Sequence, residues 1–152
     1  MDFITELSKS GGYNTIVVVI DRLTKMRHFI PCSKDLDARQ FANLLMKEIV
    51  RLGGLPQDII TDRGTLFTSD LWKETIGRLG IELRLSTAFH PQTQGPTERT
   101  YGILEQYLPA YINYQPDDGC GYLLPADFAY QDRYQETIKT TPFFANYGIN
   151  PE

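Results

Sequence analysis

The length, composition and charge of this sequence exclude several classes of protein. Its 152 residues, 41% of them hydrophobic, suit one domain with a single core and leave no room for a second domain. A formal net charge of -4 argues against a domain that grips nucleic acid through clustered Lys and Arg, so any contact with DNA must be local.

Targeting and redox signals indicate a soluble intracellular protein. The longest aliphatic run, Ile16 to Ile20, is far too short to cross a bilayer, which takes ~20 apolar residues. Asp2 and Glu6 stand where a signal peptide would need a basic segment and then an apolar one. Cys32 and Cys120 belong to no CxxC pair and to no Cys/His cluster of zinc spacing. We therefore expect two reduced thiols and no membrane segment.

The first third of the chain predicts three strands. An apolar strand is expected to begin at Asp2, and the β-branched run Thr15–Ile20 is typical of a buried strand. The turn signal Ser10–Gly12 precedes that run. The alternation over Met26–Ile30 suits a neighbouring strand that pairs with it.

An amphipathic helix is predicted to follow these strands. Asp37 followed by Gln40 forms a capping-box start, and Gly53 with Gly54 ends the helix. The residues at helical spacing that we expect to face a sheet are Phe41, Leu44, Leu45, Ile49 and Leu52.

The same order of elements is repeated further along the chain. A strand over Asp58–Thr61 leads to a helix capped near Thr68 or Ser69 and stopped at Gly80, and Ile81 to Leu85 alternates as another strand. The expected inward residues of this helix are Leu71, Trp72, Ile76 and Leu79.

The last part of the chain predicts two helices. After a loop from Ser86 to Gln94, Pro96 opens a helix that runs to about Tyr114, and Pro125 opens the final helix. The residues placed on one face of that final helix are Leu124, Phe128, Tyr134 and Ile138. Strands and helices in this order predict an α/β protein with a mixed sheet flanked by helices.

Three carboxylates stand at positions where a site is expected. Asp62 directly follows an apolar strand, at the carboxyl end where open α/β sheets place their sites. Glu98 lies in the first helical turn after Pro96, where the helix dipole favours an ionised carboxylate, and Asp2 begins a strand. Hard oxygen ligands of this kind are those that Mg²⁺ or Mn²⁺ prefers. The ordinary alternative is that these are solvated or capping residues.

Other polar residues each have a possible functional role and an ordinary structural one. Asp21 competes with Asp2 for a place among these three carboxylates, although a turn-stabilising bond beside Arg22 is its ordinary explanation. His28 and His90 are not zinc ligands; His90 lies in the loop before Glu98 and either contacts DNA or orders that loop.

Uncharged and basic residues near these carboxylates are candidates for contact with DNA. Arg63 and Arg99 each adjoin one of the carboxylates and either hold phosphate or form a local salt bridge. The uncharged loop residues that either bond to DNA or are simply solvated are Gln92, Thr93 and Gln94.

Ordered motifs extend over nearly the whole chain. They are Met1–Ile4, Val19–Lys25 with His28 and Phe29, Thr61–Gly64 with Phe67, His90–Thr93, Gly95, Thr97–Thr100, Leu104–Leu108, and Thr141–Phe143 with Tyr147, Gly148 and Pro151. In these motifs the chain resembles the integrase core of gypsy-type LTR retrotransposons. The family pattern has thirty-five residues between its second aspartate and its glutamate, and thirty-five residues lie between Asp62 and Glu98.

The resemblance implies a fold, an activity and a set of partners. It implies an RNase H-like fold with a mixed five-stranded sheet flanked by helices on both faces, and a catalytic triad of Asp2, Asp62 and Glu98 that holds two Mg²⁺ or Mn²⁺ ions. The implied activity is polynucleotidyl transfer: water attacks near the end of retrotransposon DNA, and the freed 3′-hydroxyl then attacks target DNA. A core dimer, synthesis in the cytoplasm as part of a polyprotein and action in the nucleus are also implied. Residues 1–152 correspond to the core alone, without the zinc-binding N-terminal and the C-terminal domains of the family.

The sequence departs from the family pattern at several positions. Tyr101 and Gly102 stand where the family usually has Asn and then a basic or amide residue, both facing the DNA end. Pro109 replaces a common Arg and should kink its helix or leave a backbone carbonyl unpaired. Gly119–Gly121 occupies the place of an anchoring aromatic, and Gln131 replaces a common Asn.

A second hypothesis is therefore a diverged or domesticated core without activity, retained as a DNA-binding or protein-interaction module. A third is a nuclease or transposase of the same fold.

Overall fold

The structure is a computed structural model that describes residues 1–5, 9, 11–86, 121 and 123–151. These residues fall into two units. The first unit holds the described residues within Met1–Asp2 and Lys34–Tyr101, and the second unit holds those within Phe3–Ser33 and Gly102–Glu152. The described elements are, in chain order, β1 (Asp2–Ile4), β2 (Thr15–Ile20), β3 (Arg27–Cys32), α1 (Ala38–Leu45), a π-helical segment (Met46–Val50), α2 (Arg51–Gly53), β4 (Asp58–Thr61), α3 (Thr65–Thr68), α4 (Asp70–Arg78), β5 (Glu82–Leu85), α5 (Leu123–Gln131) and α6 (Pro142–Tyr147). None of the described helices is long and apolar enough to span a membrane.

A three-stranded sheet has the order β1-β2-β3, and all of its residues except Asp2 belong to the second unit. Strand β2 pairs antiparallel with β3, from Thr15 opposite Cys32 to Ile20 opposite Arg27. The β-branched run predicted as a buried strand is confirmed, because Ile16, Val17 and Val18 are all buried. Phe29 of β3 completes the core on this side.

Helix α5 packs on this sheet through a face that the sequence did not predict. It begins at Leu123, two residues before Pro125, and it ends at Gln131. Leu123 is 3% exposed whereas Leu124 is 75% exposed, and Phe128 and Tyr134 are also exposed. The predicted face of Leu124, Phe128, Tyr134 and Ile138 is therefore wrong. Apolar residues lie on both sides of this helix. The side that faces the sheet carries the buried Leu123 and Gln131, and the Gln131 amide donates to the carbonyl of Arg27 in β3.

Helix α1 begins at the predicted capping box. The Gln40 N–H donates to Asp37 Oδ1 at 2.8 Å, and the Asp37 N–H donates to Gln40 Oε1 at 3.0 Å. The helical run continues through the π-helical segment and α2 to Gly54, whose φ of 81° ends it. A π-helical segment takes more residues per turn, so it rotates later side chains away from the face of α1. Leu52 is consequently 53% exposed, against our expectation that it would face inward.

An aromatic cluster forms the core of the first unit. Phe41 of α1, Phe67 of α3 and Trp72 of α4 are each 0% exposed. Their ring centroids lie 5.2 to 5.9 Å apart, within the range in which aromatic rings attract one another. Ser69 caps α4 as predicted, since its hydroxyl accepts from the Trp72 N–H at 3.2 Å. Trp72 and Ile76 face inward as predicted, whereas Leu71 is exposed.

Strands β4 and β5 form a parallel pair in the first unit, from Asp58 opposite Glu82 to Thr61 opposite Leu85. The five predicted strands are thus present, but the described residues form two sheets of three and two strands rather than one five-stranded sheet. Beside β4, the terminal ammonium of Met1 donates to the Ile60 carbonyl at 2.8 Å. One such bond does not make a ladder of paired strands.

Candidate active site

Asp62 lies immediately beyond the last residue of β4, in the first unit. The parallel pairing of β4 with β5 ends there, where the Ser86 N–H donates to the Thr61 carbonyl at 2.7 Å. Asp62 itself is half-buried, and its Oδ1 accepts from the Gly64 N–H at 2.9 Å. The side chain therefore closes a short turn on its own backbone, which restricts the directions in which the carboxylate can point.

The turn at Asp62 is continuous with helix α3. Gly64 is the residue before α3, and its carbonyl accepts from both the N–H and the hydroxyl of Thr68, at 3.1 and 3.2 Å. Phe67 anchors α3 in the aromatic cluster. Because Asp62 bonds to Gly64, the position of its carboxylate depends on a helix that is itself fixed by the core of the first unit.

Asp2 and Asp62 act on one positive group in the first unit. The Met1 ammonium bonds to the Ile60 carbonyl of β4, and burial lowers the pKa of this ammonium. The negative charges of Asp2 and Asp62 both oppose that shift and raise the pKa. The structure therefore places both aspartates within electrostatic range of the same cation.

The third predicted ligand, Glu98, lies outside the described residues. Within the described ranges, no group of three or more His, Cys, Asp or Glu side chains is arranged to hold a metal ion. Asp2 and Asp62 nevertheless fit a divalent cation chemically, because they supply hard carboxylate oxygens and a field that favours positive charge. Their part in a triad stays a prediction.

Of the residues predicted to contact DNA, Arg63 is described. It is exposed and stands between Asp62 and Gly64 in the turn. The remaining predicted contacts lie outside the described residues: His90, Gln92, Thr93, Gln94, Arg99 and Tyr101. The same is true of the departures at Gly102, Pro109, Gly119 and Cys120.

Asp21 stabilises a turn in the second unit. Its Oδ1 accepts from the Leu23 N–H at 3.0 Å, and its Oδ2 accepts from the Thr24 hydroxyl at 2.7 Å. Its carbonyl also accepts from the Lys25 N–H at 2.9 Å, where Lys25 adopts a φ of 61°. The ordinary interpretation of Asp21 as a turn residue is confirmed, and both of its carboxylate oxygens are engaged in that turn.

A polar network joins β3 to α5 in the second unit, and the sequence did not reveal it. The Gln131 amide donates to the Arg27 carbonyl at 3.1 Å and to Asp127 Oδ1 at 2.8 Å. His28 Nδ1 lies 3.5 Å from Asp127 Oδ2. The guanidinium of Arg27 stacks 3.9 Å over the Tyr130 ring, and burial lowers the pKa of Arg27 to about 10. Gln131, identified as a departure, thus has a structural role.

Gly64 is the residue near the site that sequence reasoning passed over. Its signal was present, because an aspartate two residues before a glycine is typical of a side chain that bonds to its own backbone. The pattern does not disclose how closely the glycine approaches the carboxylate.

Comparisons with known proteins place this geometry in a family context. The family model described as integrase core domain matches residues 1–91. The Transposon Tf2-3 and Tf2-4 polyproteins of Schizosaccharomyces pombe are each 34% identical over 151 residues, which is 99% of this chain and 11% of either relative. The chain thus spans about a tenth of the length of these curated relatives.

Solved structures show the same fold. The catalytic core domain of HTLV-2 integrase in complex with magnesium, in its trimeric form, has a TM-score of 0.71 and 18% identity, over 96% of this chain and 94% of that one. The catalytic core domain of BIV integrase has a TM-score of 0.69 and 20% identity, over 97% of this chain and 93% of that one. The predicted α/β class and RNase H-like fold are thereby confirmed.

Proposed function

The chain belongs to the integrase core domain family, and we propose that it is a polynucleotidyl transferase that processes retrotransposon DNA ends and joins them to target DNA. The observation that carries the proposal is geometric: the nitrogen of Met1, next to Asp2, donates to the carbonyl of Ile60, two residues before Asp62, at 2.8 Å in the first unit. The carboxylates of Asp2 and Asp62 supply hard oxygen ligands of the kind that Mg²⁺ and Mn²⁺ prefer. A divalent ion is the cofactor that phosphoryl transfer by such carboxylates would use.

Asp2, Asp62 and Glu98 are the residues that would hold two Mg²⁺ or Mn²⁺ ions. When bound, such ions would activate the attacking oxygen and stabilise the leaving oxygen of a phosphodiester. Asp62 contributes an oriented carboxylate, since the Gly64 N–H fixes its Oδ1. Asp2 contributes a carboxylate from the start of β1. Magnesium accompanies the HTLV-2 integrase core in its structure, which supports this choice of metal.

DNA would be held by local contacts rather than by a broad basic surface, because the net charge of the chain is -4. Arg63 is the described candidate, and its exposed position beside Asp62 suits a phosphate near the reacting bond. The loop residues predicted to contact a DNA end would supply uncharged hydrogen bonds.

We further propose a homodimer of cores that acts in the nucleus after synthesis in the cytoplasm within a polyprotein. The HTLV-2 core has been solved in dimeric and trimeric forms, and a simian T-cell lymphotropic virus intasome has a TM-score of 0.73 to this chain. That likeness covers 99% of this chain and 56% of the other, at 20% identity. Self-association is therefore the assembly to test first.

A strand-joining assay on branched DNA with Mn²⁺ tests the activity. The expected product is a rejoined strand, and Asp62→Asn should abolish it while Asp70→Asn, on the exposed start of α4, should not. Binding of DNA without any product would favour the alternative of an inactive, retained module, which the departures at Tyr101 and Gly102 motivate. Cleavage without joining would favour a nuclease of the same fold.

A further inference from the structure

Gly64 is a glycine for a reason other than its backbone torsions. Its φ of -56° and ψ of 151° are open to any L-amino acid. A Cβ at this position, however, would lie 3.0 Å from Asp62 Oδ1, which is closer than the 3.4–4 Å of ordinary van der Waals contact. The side chain that would be displaced is the carboxylate predicted to bind metal.

The surroundings of Gly64 leave little room for the glycine itself to move. Its carbonyl holds the N–H and the hydroxyl of Thr68, so a shift of residue 64 would break the start of α3. Helix α3 in turn is anchored by Phe67, which packs 5.9 Å from Phe41 and 5.8 Å from Trp72 between ring centroids. The half-buried carboxylate of Asp62, just beyond β4, is therefore the group that would have to shift.

We propose that Gly64 is the positioning residue for Asp62: its N–H holds Oδ1, and the absence of a side chain spares Oδ1 a Cβ contact at 3.0 Å. The turn uses Oδ1, so Oδ2 is the oxygen that the turn leaves for a divalent cation. The metal-binding part of this proposal rests on the proposed function, whereas the steric part does not. Backbone partners of this kind orient a ligand and raise its affinity for metal.

Gly77 of α4 provides a matched control. A Cβ added there meets nothing within 4 Å, and its φ lies outside the positive range. Gly77→Ala is therefore the same chemical change in open space, and it should raise the melting temperature because Ala favours a helix over Gly.

Crystal structures of metal-free Gly64→Ala and Gly77→Ala test the steric part. In Gly64→Ala, Asp62 Oδ1 should move by at least a few tenths of an ångström from its position 2.9 Å from the nitrogen of residue 64, and in Gly77→Ala it should stay. An unmoved carboxylate in Gly64→Ala overturns the proposal. Should that variant fail to fold, exchange of the Gly64 amide proton is measured by NMR in the unsubstituted chain and in Asp62→Ala. Faster exchange in Asp62→Ala supports the bond, and equal exchange overturns it.

Titration of Mn²⁺ by electron paramagnetic resonance tests the consequence for metal. Gly64→Ala should bind Mn²⁺ at least tenfold more weakly than the unsubstituted chain, as is typical when an outer-shell partner is lost, and Gly77→Ala should bind it equally well. A displaced carboxylate with unchanged Mn²⁺ affinity would overturn the positioning role. Absence of Mn²⁺ binding by the unsubstituted chain would instead refute the proposed function, while the crystal structures would still decide whether Gly64 positions Asp62.

Discussion

The thermal response of Asp62 variants to Mn²⁺ separates a metal ligand from a turn residue. In the unsubstituted chain, Asp62 Oδ1 accepts a hydrogen bond from the Gly64 N–H at 2.9 Å. In Asp62→Asn the side-chain oxygen can still accept this bond. The free energy of unfolding without metal should therefore change by no more than about 0.5 kcal/mol. Asp62→Ala removes this acceptor at a half-buried position, and we expect a loss of about 0.5–1.5 kcal/mol.

Metal should stabilise the unsubstituted chain by a predictable amount. At a free Mn²⁺ concentration a hundredfold above Kd, binding to the native state alone contributes ~2.7 kcal/mol. For a chain of this size each kcal/mol raises Tm by ~2–4 °C, so the shift should be roughly 5–11 °C. Both Asp62 variants should lose it, because Asn presents one neutral oxygen in place of a charged carboxylate.

Differential scanning fluorimetry over a Mn²⁺ series measures this shift. Asp70→Asn is the control, because this exposed carboxylate on the first turn of α4 lies in no proposed ligand set. It should keep the full shift in Tm. A full shift in Asp62→Asn would refute the assignment of Asp62 as a ligand, and a loss in Asp70→Asn would show that the response reflects general screening of negative charge.

Three further predictions concern the second unit. Asp21→Ala should lower the free energy of unfolding in urea by about 1–2 kcal/mol, through loss of the bonds from Leu23 and Thr24, yet leave the Mn²⁺ shift unchanged; a lost shift would restore Asp21 as a ligand. Burial raises the pKa of Cys32 to about 11, so in a Cys120→Ser background its alkylation by iodoacetamide should stay slow at pH 9 and accelerate only toward pH 11. Rapid alkylation of the folded protein at pH 8 would contradict the raised pKa. Because the pKa of Cys32 is raised in the folded state, its contribution to stability is full below the ordinary value of 9.0 and is lost as pH rises through about 11. Gln131→Asn, one methylene shorter, should lose its bonds to Arg27 and Asp127 and about 1–3 kcal/mol in urea unfolding, and wild-type stability would mean that the shorter amide still reaches them.

The sequence predicted those helix ends and strands that depend on residues close together in the chain. The capping box at Asp37 and Gln40 is visible in sequence because both partners lie within one helical turn. The strand over Thr15–Ile20 was predictable because β-branched residues fit a buried, paired strand. Gly54 was predictable as a stop because its positive φ is a backbone requirement.

Features that depend on distant partners were not predictable. The exposure of Leu52 follows from a π-helical segment whose sequence, Met46–Val50, resembles ordinary helix. The inward face of α5 depends on Gln131, which bonds to the carbonyl of Arg27 more than a hundred positions away in the chain. The closeness of Gly64 to Asp62 is a matter of tenths of an ångström, which a spacing pattern does not encode.

The acidic balance of the chain is consistent with action on DNA if the metal ions form part of the charge. The formal net charge of -4 counts Asp2, Asp62 and Glu98 as full negative charges. Two divalent ions in the proposed site would add four positive charges, which equals this excess. DNA would then approach a locally compensated site, where bound cations are the largest nearby charges. Under the proposed function, the excess of acidic over basic residues therefore makes recruitment of DNA depend on metal rather than on a basic surface.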